Sequence, residues 1–433
     1  MRVRRSILVL ILATTTAMVG TAAMANHPDE EGQYSGVDST QWTELGSVAQ
    51  SAPCEDGMAA GMFPCDGIDL MSFIPHGALG TTFANDMWGW TDPQTGRDYA
   101  LMGAGEGTVF VDITNPESPA VLGILPTHTS DNFFWRDIKV YADHAFIVSE
   151  DNGHGMQVFD LTELRDWDGN YTTYSETAHY PGINSAHNLN INEDTGFAYA
   201  VGVRQRGSCS GGLHMIDISD PTNPTFAGCW GGDGYIHDTQ CVIYEGPDAD
   251  YQGREICFNS NAQSRGPASL NRVSITDVTD KSNPVRLSAM TYSNSGHSHQ
   301  GWLTPDQQYF LHGDELDELI HGINTTTRVW DVRDLDNPQH IGTFANDTTS
   351  IDHNIYTEGS VAFASNYTSG LRVYDTSDVS AGQLSELAFF DMYPENDDPS
   401  FEGGTWSNYP YFSQQDIVAA TGMDRGLFVL RVQ

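Results

Sequence analysis

Histidines that recur at one position of a repeating unit are the residues of this chain best suited to chemistry. Four units carry His187, His237, His299 and His353 at the start of their first predicted strand. Imidazole rings that converge from several strands suit Zn, Cu, Fe or Mn, and they leave a coordination position open for water or substrate. These histidines are therefore candidate ligands of one transition-metal ion. His297 is either an additional ligand or a side chain turned into its own sheet.

The position after the histidines is polar in every unit, and this permits a purely structural interpretation as well. Units without histidine have Asn85, Arg136 or Trp406 at the first position. At the second position the units have Asp86, Asp137, Asn188, Asp238, Gln300, Asn354 and Ser407. Such side chains can orient metal-bound imidazoles, or they can join the histidines in a ring of hydrogen bonds to the adjacent unit. Because side chains alternate along a strand, only one of the two positions is expected to face a central channel.

The units are defined by a short repeated pattern in which apolar residues precede an aspartate and a turn that often contains proline. The aspartates are Asp112, Asp160, Asp217, Asp277, Asp331 and Asp375, spaced 44 to 60 residues apart, and a seventh unit has Arg431 instead. An aspartate at the end of a strand suits a turn, because its carboxylate accepts hydrogen bonds from the amides that follow.

Each unit but the last contains four short predicted strands. In residues 186–229, for example, the first strand starts at His187, and the others cover 197–201, 213–218 and 225–229. Four strands in about 50 residues are typical of a propeller blade, whereas β-helices and solenoids have shorter repeats. The predicted fold class is all-β: a seven-bladed β-propeller of four-stranded antiparallel blades. The seventh unit lacks a fourth strand, and we predict that the N-terminal strand at 68–74 completes it beside 427–432.

With these repeats in place, the chain resembles the choice-of-anchor B family, whose units are LVIVD-type repeats. The matching stretches are Phe134–Val140, His154–Leu161, Gly212–Ile218, Tyr235–Cys241, His299–Thr304 and Ile351–Asn354. The resemblance extends from about Cys65 to Val432. It implies an exported propeller and no particular activity.

The N terminus has the features of an export signal. Arginines precede an apolar run at 7–19, and Ala23-Met24-Ala25 suits a signal peptidase. We therefore expect a signal peptide (1–25), an N-terminal extension (26–65) and a single propeller domain (66–433). The mature protein is expected to be soluble and either periplasmic or extracellular, because no later stretch is long and apolar enough to span a membrane.

The strong negative charge limits the possible partners. The chain has 58 acidic and 19 basic residues, a formal charge of −39. Such a surface repels nucleic acid and anionic lipid, so we expect neither as a partner. The acidity is explained by adaptation to salty water or by a face that recruits cations.

Six cysteines follow the predicted cleavage site, and an even number in an exported chain indicates disulfides. Cys241 and Cys257 flank a predicted hairpin, and the natural remaining pairs are Cys54 with Cys65 and Cys209 with Cys229. A thiolate metal site is the alternative, although the chain lacks a C-x-x-C motif.

Weaker features each have two interpretations. The acidic segments His312–Glu318 and Asp248–Asp250 can bind Ca²⁺ or lie in solvent as ordinary loops. A set of aromatic residues can stack on a sugar or pack between blades: Trp88, Trp90, Trp302, Trp406 and Tyr409.

Two functions remain open at this stage. The first is a propeller that binds a small-molecule, glycan or protein ligand through a polar, histidine-lined central funnel. The second is a metal-dependent enzyme, a lyase or an oxidoreductase, that uses the four histidines. The sequence does not decide between them, since it contains no nucleophile elbow, P-loop, dinucleotide fingerprint or metalloprotease helix.

Overall fold

The chain folds into short strands joined by turns. The computed structural model describes residues 51–129, 135–203, 209–262 and 271–433, so the predicted signal peptide lies outside the described residues. The strands are β1 (Met58–Ala59), β2 (Phe63–Asp66), β3 (Ile68–Pro75), β4 (Ala84–Thr91), β5 (Asp98–Ala104), β6 (Gly107–Asp112), β7 (Ala120–Pro126), β8 (Arg136–Tyr141), β9 (His144–Ser149), β10 (Met156–Asp160), β11 (Thr172–Thr173), β12 (Ala178–Tyr180), β13 (Asn188–Asn192), β14 (Phe197–Val201), β15 (Leu213–Asp217), β16 (Thr225–Trp230), β17 (Asp238–Ile243), β18 (Glu255–Asn261), β19 (Arg272–Asp277), β20 (Val285–Met290), β21 (Ser298–Leu303), β22 (Tyr309–Asp314), β23 (Thr326–Asp331), β24 (Gln339–Ala345), β25 (Ile355–Glu358), β26 (Val361–Asn366), β27 (Gly370–Asp375), β28 (Ser385–Phe390), β29 (Thr405–Tyr409), β30 (Ile417–Gly422) and β31 (Gly426–Val432). Two short helices, α1 (His76–Leu79) and α2 (Asp317–His321), and three 3-10 turns (Leu161–Asp166, Cys209–Gly211 and Val379–Ala381) complete the described elements.

These strands form seven sheets, and each sheet is one blade. From the hub outward, blade 1 is β4-β5-β6-β7, blade 2 is β8-β9-β10-β12, blade 3 is β13 to β16, blade 4 is β17 to β20, blade 5 is β21 to β24, blade 6 is β25 to β28 and blade 7 is β29-β30-β31-β3. The four main strands of each blade are antiparallel, whereas β11 adds a parallel edge to blade 1. The innermost strands pack against one another in order, and β29 packs against β4. The sheets therefore close into a seven-bladed propeller, as the repeats predict.

The seventh blade is completed by the N-terminal strand. β3 pairs antiparallel with β31, from Ile68 opposite Val432 to Pro75 opposite Gly426. Within this pair, Phe73 stacks on Phe428 with ring centroids 4.5 Å apart. The predicted closure is thus confirmed, and it joins the two ends of the ring by hydrogen bonds and by a buried apolar contact.

The repeated aspartates act as the sequence predicts. In all six copies the carboxylate accepts a hydrogen bond from the amide two residues later, at 2.8 to 3.1 Å. Asp217, for example, accepts from the amide of Ser219 at 3.0 Å and from its hydroxyl at 2.7 Å. This local turn directs the chain from the third strand of a blade into the fourth.

The described part of the N-terminal extension packs on blade 6. β2 pairs with β28, and β1 pairs with β2, so that both strands lie beyond the outer edge of that blade. The three predicted disulfides are present: Cys54–Cys65, Cys209–Cys229 and Cys241–Cys257. Cys241 and Cys257 face each other across β17 and β18, as expected for a hairpin.

The core consists of apolar layers between neighbouring blades. Between blades 1 and 2, Phe110 stacks on Phe159 at 4.8 Å, and both side chains are fully buried. Large flat side chains between sheets fix the distance and angle between blades. This packing gives the inner strands a rigid frame, so residues at equivalent positions are held at the hub.

A candidate metal centre at the hub

The four predicted histidines form a continuous row of tilted rings around part of the hub. Ring centroids lie 4.1 Å apart between His187 and His237, 4.3 Å apart between His237 and His299, and 4.3 Å apart between His299 and His353. Trp406 continues the series 4.3 Å from His353. All five side chains are at most 8% exposed. The structure therefore brings together side chains that are far apart in the sequence.

His237 and His353 each use one ring nitrogen for a bond between blades. The Nδ1 of His237 is 3.1 Å from the carbonyl oxygen of His299, and that of His353 is 2.5 Å from the carbonyl oxygen of Trp406. Because a carbonyl oxygen can only accept, each Nδ1 carries the proton and each Nε2 presents a lone pair. The structural and the metal-binding interpretations of the sequence are therefore compatible, since one imidazole serves both.

Glu315 lies among the histidines, at the turn that follows β22. One of its carboxylate oxygens, Oε1, is 3.8 Å from the Nε2 of His299 and 3.7 Å from that of His353. Ligand atoms of His237, His297 and Glu315 also lie within 4.8 Å of one another. Two groups of potential ligands thus share one carboxylate. Small shifts of these side chains would bring the donor atoms into the coordination sphere of one ion.

The carboxylate and the neighbouring backbone are held in place by further hydrogen bonds. The hydroxyl of Tyr367 donates to Oε1 of Glu315 at 2.7 Å, and the Glu315 amide donates to the carbonyl of His297 at 3.1 Å. The carboxylate of Asp314 accepts from the amides of Gly296 and His297 at 2.9 and 2.6 Å. This network orients Glu315 and His297 before any ion is present.

Burial keeps His299 and His353 neutral. Desolvation lowers the pKa of His353 to about 4 and lowers that of His299 well below its usual value of 6.5. A neutral imidazole is the form that binds a metal. In addition, the Nδ1 of His299 has no hydrogen-bond partner among the residues that the structure describes. The site thus offers imidazole nitrogens, one carboxylate and a buried polar atom without a partner. This set of donors fits a transition metal of intermediate softness.

An apolar layer covers this end of the hub. It comprises Phe83, Trp135, Leu316, Ile351, Tyr367, Phe401, Trp406 and Met423, each at most 8% exposed. Trp135 and Trp406 stack with centroids 4.5 Å apart, directly beside the ring of His353. The candidate centre is therefore shielded from bulk water.

His187 and Arg136, which share the register of the other histidines, have different partners. The Nδ1 of His187 is 2.5 Å from Oε1 of Glu150, and His187 is not among the ligand groups around Glu315. The guanidinium of Arg136 donates to the carbonyl of Ala104 at 2.6 Å, and burial lowers its pKa to about 10. His187 therefore adjoins the centre, whereas Arg136 binds the neighbouring blade.

Amides at the second predicted position bridge consecutive blades. Asn188 donates to the carbonyl of His237 at 3.1 Å, and Gln300 exchanges two hydrogen bonds with the backbone of Ile355, at 3.0 and 3.1 Å. Asn354 donates to the Ser407 hydroxyl at 3.2 Å. Side chains from both positions thus reach the hub.

In three blades, irregular strands account for this departure from simple alternation. The register shifts near the start of the innermost strand in blades 1, 5 and 7. A β-bulge places two successive residues opposite one and so breaks the alternation of side chains.

The carboxylates at the second position surround a buried lysine. Nζ of Lys139 lies 2.5 Å from Asp137 and 3.3 Å from Asp86. Burial alone would lower the pKa of Lys139, but these carboxylates raise it above its usual value. Burial raises the pKa of Asp238 to about 7. This buried cluster of opposite charges therefore lies on the first strands of blades 1, 2 and 4.

The open cavity lies at the other end of the innermost strands. Its volume is about 450 Å³, and its lining includes Trp88, Lys139, Gln240 and Trp302. An adjoining cavity of about 360 Å³ shares several of these residues and adds Tyr409 and Tyr411 to the lining. Neither lining contains histidine. The sequence predicted a single histidine-lined funnel. In the structure, the histidine site and the open funnel are separate features.

Two of the aromatic residues that could have stacked on a ligand are packed inside the protein. Trp90 stacks on Tyr99 at 5.2 Å, and Trp406 lies on Trp135. Trp88 and Trp302, by contrast, are half-buried and line the cavity.

The acidic segment Asp248–Asp250 also has a partner within the protein. The Asp248 carboxylate accepts a hydrogen bond from the amide of Leu335 at 3.0 Å.

Sequence reasoning missed Glu150 and Glu315 as partners of the histidines. Each follows directly after the second strand of its blade, and each approaches a histidine of the next blade: His187 for Glu150 and His353 for Glu315. The residue directly after the second strand is acidic in these two blades and not acidic in the other five, so the repeat carries only a weak signal for this position.

Comparison with known proteins agrees with the repeat architecture. A family model described as "LVIVD repeat" matches residues 207–230. No curated protein matches the chain. The β-propeller domain of Cps50 (Swd1) from Myceliophteria thermophila is 14% identical, with a TM-score of 0.47, over 77% of this chain and 93% of that one. A protein from Lactobacillus plantarum is 16% identical, with a TM-score of 0.48, over 73% and 84% of the two chains. Our assignment of the fold rests on the strand pairing itself.

Two further observations bear on the environment of the protein. The three disulfides indicate an oxidising compartment. Among the helices of the described ranges, none has the length and apolar character needed to cross a membrane.

Proposed function

We propose that this protein is an exported binding propeller of the choice-of-anchor B family whose hub holds one transition-metal ion. The proposed ligands are Glu315 and the histidines around it: His237, His297, His299 and His353. The observation that carries the proposal is a buried carboxylate that lies 3.7 to 3.8 Å from two imidazole Nε2 atoms of neighbouring blades. Zn, Cu, Fe and Mn all suit nitrogen donors with one carboxylate.

The position of the site favours binding over catalysis. The proposed ligands come from blades 4, 5 and 6, so a bound ion would hold these blades together. When bound, such an ion also supplies Lewis acidity or redox activity. However, the apolar layer covers the histidines, and the open cavity lies at the opposite ends of the strands. We therefore place the metal-dependent lyase or oxidoreductase second.

The open cavity is the proposed site for an external ligand. Its volume of about 450 Å³ suits a small molecule or one or two sugar rings. Trp88 and Trp302 offer half-buried aromatic surface, and Gln240 and Asn190 add amide groups beside it. Aromatic rings next to amides suit a ligand with both apolar and hydroxyl faces.

Metal analysis with matched variants tests the proposal. The protein is stripped with a chelator, reloaded separately with Zn²⁺, Cu²⁺, Fe²⁺ or Mn²⁺, and assayed for bound metal by mass spectrometry. We expect about one ion per chain in the wild type and about 100-fold weaker binding of that ion in Glu315→Gln and in the His237→Ala, His299→Ala double variant. His340→Asn, which changes an exposed histidine, is the matched control. Equal metal content in all four proteins would refute the hub site.

A further inference from the structure

A second group of buried oxygen donors lies between blades 5 and 6, apart from the histidine donors. Asp317 and Glu318 begin α2, and Asp352 lies on the segment that enters blade 6. One carboxylate oxygen from each of the three lies within 4.8 Å of the other two. All three residues are at most 5% exposed.

Asp352 provides an independent indication that this group binds a ligand. Its side chain comes from a different blade, is 95% buried, and has an oxygen, Oδ1, without a hydrogen-bond partner in the described ranges. Oδ1 of Asp317 and Oε2 of Glu318 also lack such partners there. A buried carboxylate oxygen without a donor is costly, because desolvation is not offset by any hydrogen bond.

Gly313 makes room for the Asp352 carboxylate. A Cβ atom at Gly313 would lie 2.1 Å from Oδ2 of Asp352, closer than real Cβ contacts allow. The second strand of blade 5 therefore has no side chain where the carboxylate enters the group. Glycine at this position is explained by the shape of the site, since its backbone is not in the left-handed region.

Nearby positive charge balances only part of the group. Arg328 forms a 2.5 Å ion pair with Oδ2 of Asp317. Asp314, which lies next to the group in sequence, already accepts hydrogen bonds from Tyr292 and backbone amides. Glu318 accepts one backbone hydrogen bond, from Thr326 at 3.2 Å. Glu318 and Asp352 have no cationic side chain paired with them among the ion pairs of the described residues.

We propose that Asp317, Glu318 and Asp352 bind a Ca²⁺ ion that joins blade 5 to blade 6. Ca²⁺ prefers carboxylate oxygens at about 2.3–2.6 Å, so two of its ligands can be up to about 5 Å apart. The observed limit of 4.8 Å meets this condition. Mg²⁺ requires shorter distances and strict octahedral geometry, and we therefore expect it to bind more weakly. The ion would also steady the segments that carry Glu315 and His353.

Calcium titration of the full-length, chelator-treated protein tests this site directly. Isothermal titration calorimetry in about 0.1 M NaCl, which screens the acidic surface, is expected to show one Ca²⁺ per chain and a higher melting temperature in Ca²⁺ than in EGTA. We expect Asp352→Asn and Glu318→Gln to weaken Ca²⁺ binding about 100-fold and to remove the melting shift. Asp347→Asn, an exposed aspartate in the same connection, should behave like the wild type.

Two further variants separate this site from its neighbours. Gly313→Ala removes no charge, but it should abolish the calcium response by displacing Asp352. Glu315→Gln should retain the calcium response, so that a failure of the histidine site leaves the calcium site testable. The Asp→Asn change keeps the side-chain volume and relieves repulsion, so we expect the variant to fold. The proposal is overturned if the wild type shows no calcium-dependent shift, or if Asp352→Asn binds Ca²⁺ as tightly as the wild type.

Discussion

Replacing His353 by asparagine separates the two roles that the structure gives to this side chain. The amide nitrogen of asparagine occupies nearly the same place as imidazole Nδ1, so His353→Asn can still donate to the carbonyl of Trp406, 2.5 Å from Nδ1 in the native protein. It has no counterpart of Nε2, the atom 3.7 Å from Glu315. His353→Ala removes both groups.

The expected magnitudes follow from these contacts. Without metal, His353→Ala leaves a buried carbonyl unpaired and opens a cavity, which together cost about 2–4 kcal/mol of unfolding free energy. His353→Asn should cost about 1 kcal/mol or less. At a metal concentration 100-fold above the wild-type Kd, the ion stabilises the wild type by about 2.7 kcal/mol. A variant with 100-fold weaker affinity gains only about 0.4 kcal/mol at the same concentration.

Urea unfolding followed by tryptophan fluorescence, in EDTA and with whichever ion the metal analysis finds to bind, measures both quantities for the three proteins. We expect His353→Asn to stay within about 1 kcal/mol of the wild type in EDTA and to gain as little from metal as His353→Ala does. A His353→Asn protein with a full metal response would show that Nε2 is not a ligand. Equal destabilisation of both variants in EDTA would show that the bond to Trp406 contributes little.

Three other perturbations test the frame around the hub. Phe73→Ala should lower the unfolding free energy by about 3–5 kcal/mol, because the ring is fully buried in the closing blade, whereas the control Phe226→Ala, at a 58% exposed ring, should change it little in the same urea experiment. Asp217→Ala should lower the unfolding free energy by about 1 kcal/mol, because it removes the acceptor of the turn hydrogen bond. Asp217→Asn keeps a side-chain oxygen and should lower it less, as measured by thermal unfolding. Equal losses in the two variants would contradict the turn argument. Burial lowers the pKa of His76 from 6.5 to about 4, so folding favours the neutral ring, and stability is complete above pH 6.5 and declines as the pH falls towards 4. The loss at pH 5 is about 2 kcal/mol, and a pH series should show a shallower decline for His76→Asn than for the wild type.

The fold could be predicted because its signals are local and repeated. Each strand-turn-strand unit carries its own apolar pattern and its own turn aspartate, such as Asp217, so the same inference could be checked in several places. The closing strand was predicted by elimination, since one strand lacked a unit and one unit lacked a strand. The disulfide between Cys241 and Cys257 could be predicted because the two cysteines flank one hairpin and therefore face each other across it.

The site could be predicted only where its residues follow the repeat. The histidines occupy equivalent positions, and their proximity therefore follows from the symmetry of a ring. Glu315 and Asp352 lie in connections, whose paths depend on tertiary packing rather than on strand register. The sequence also could not decide between a metal site and a ring of hydrogen bonds. That choice depends on the contacts of the two ring nitrogens of His353: Nδ1 faces the carbonyl of Trp406, and Nε2 faces Glu315.

The pairing of β3 with β31 also determines the order in which the molecule can be assembled. Ile68 leaves the ribosome long before Val432, its partner across the sheet, has been synthesised. Until β31 is available, β3 cannot make these hydrogen bonds, and blade 7 lacks its outer strand. Contacts between residues so far apart in sequence carry a large entropy cost of loop closure, so we expect this pair to form late in folding.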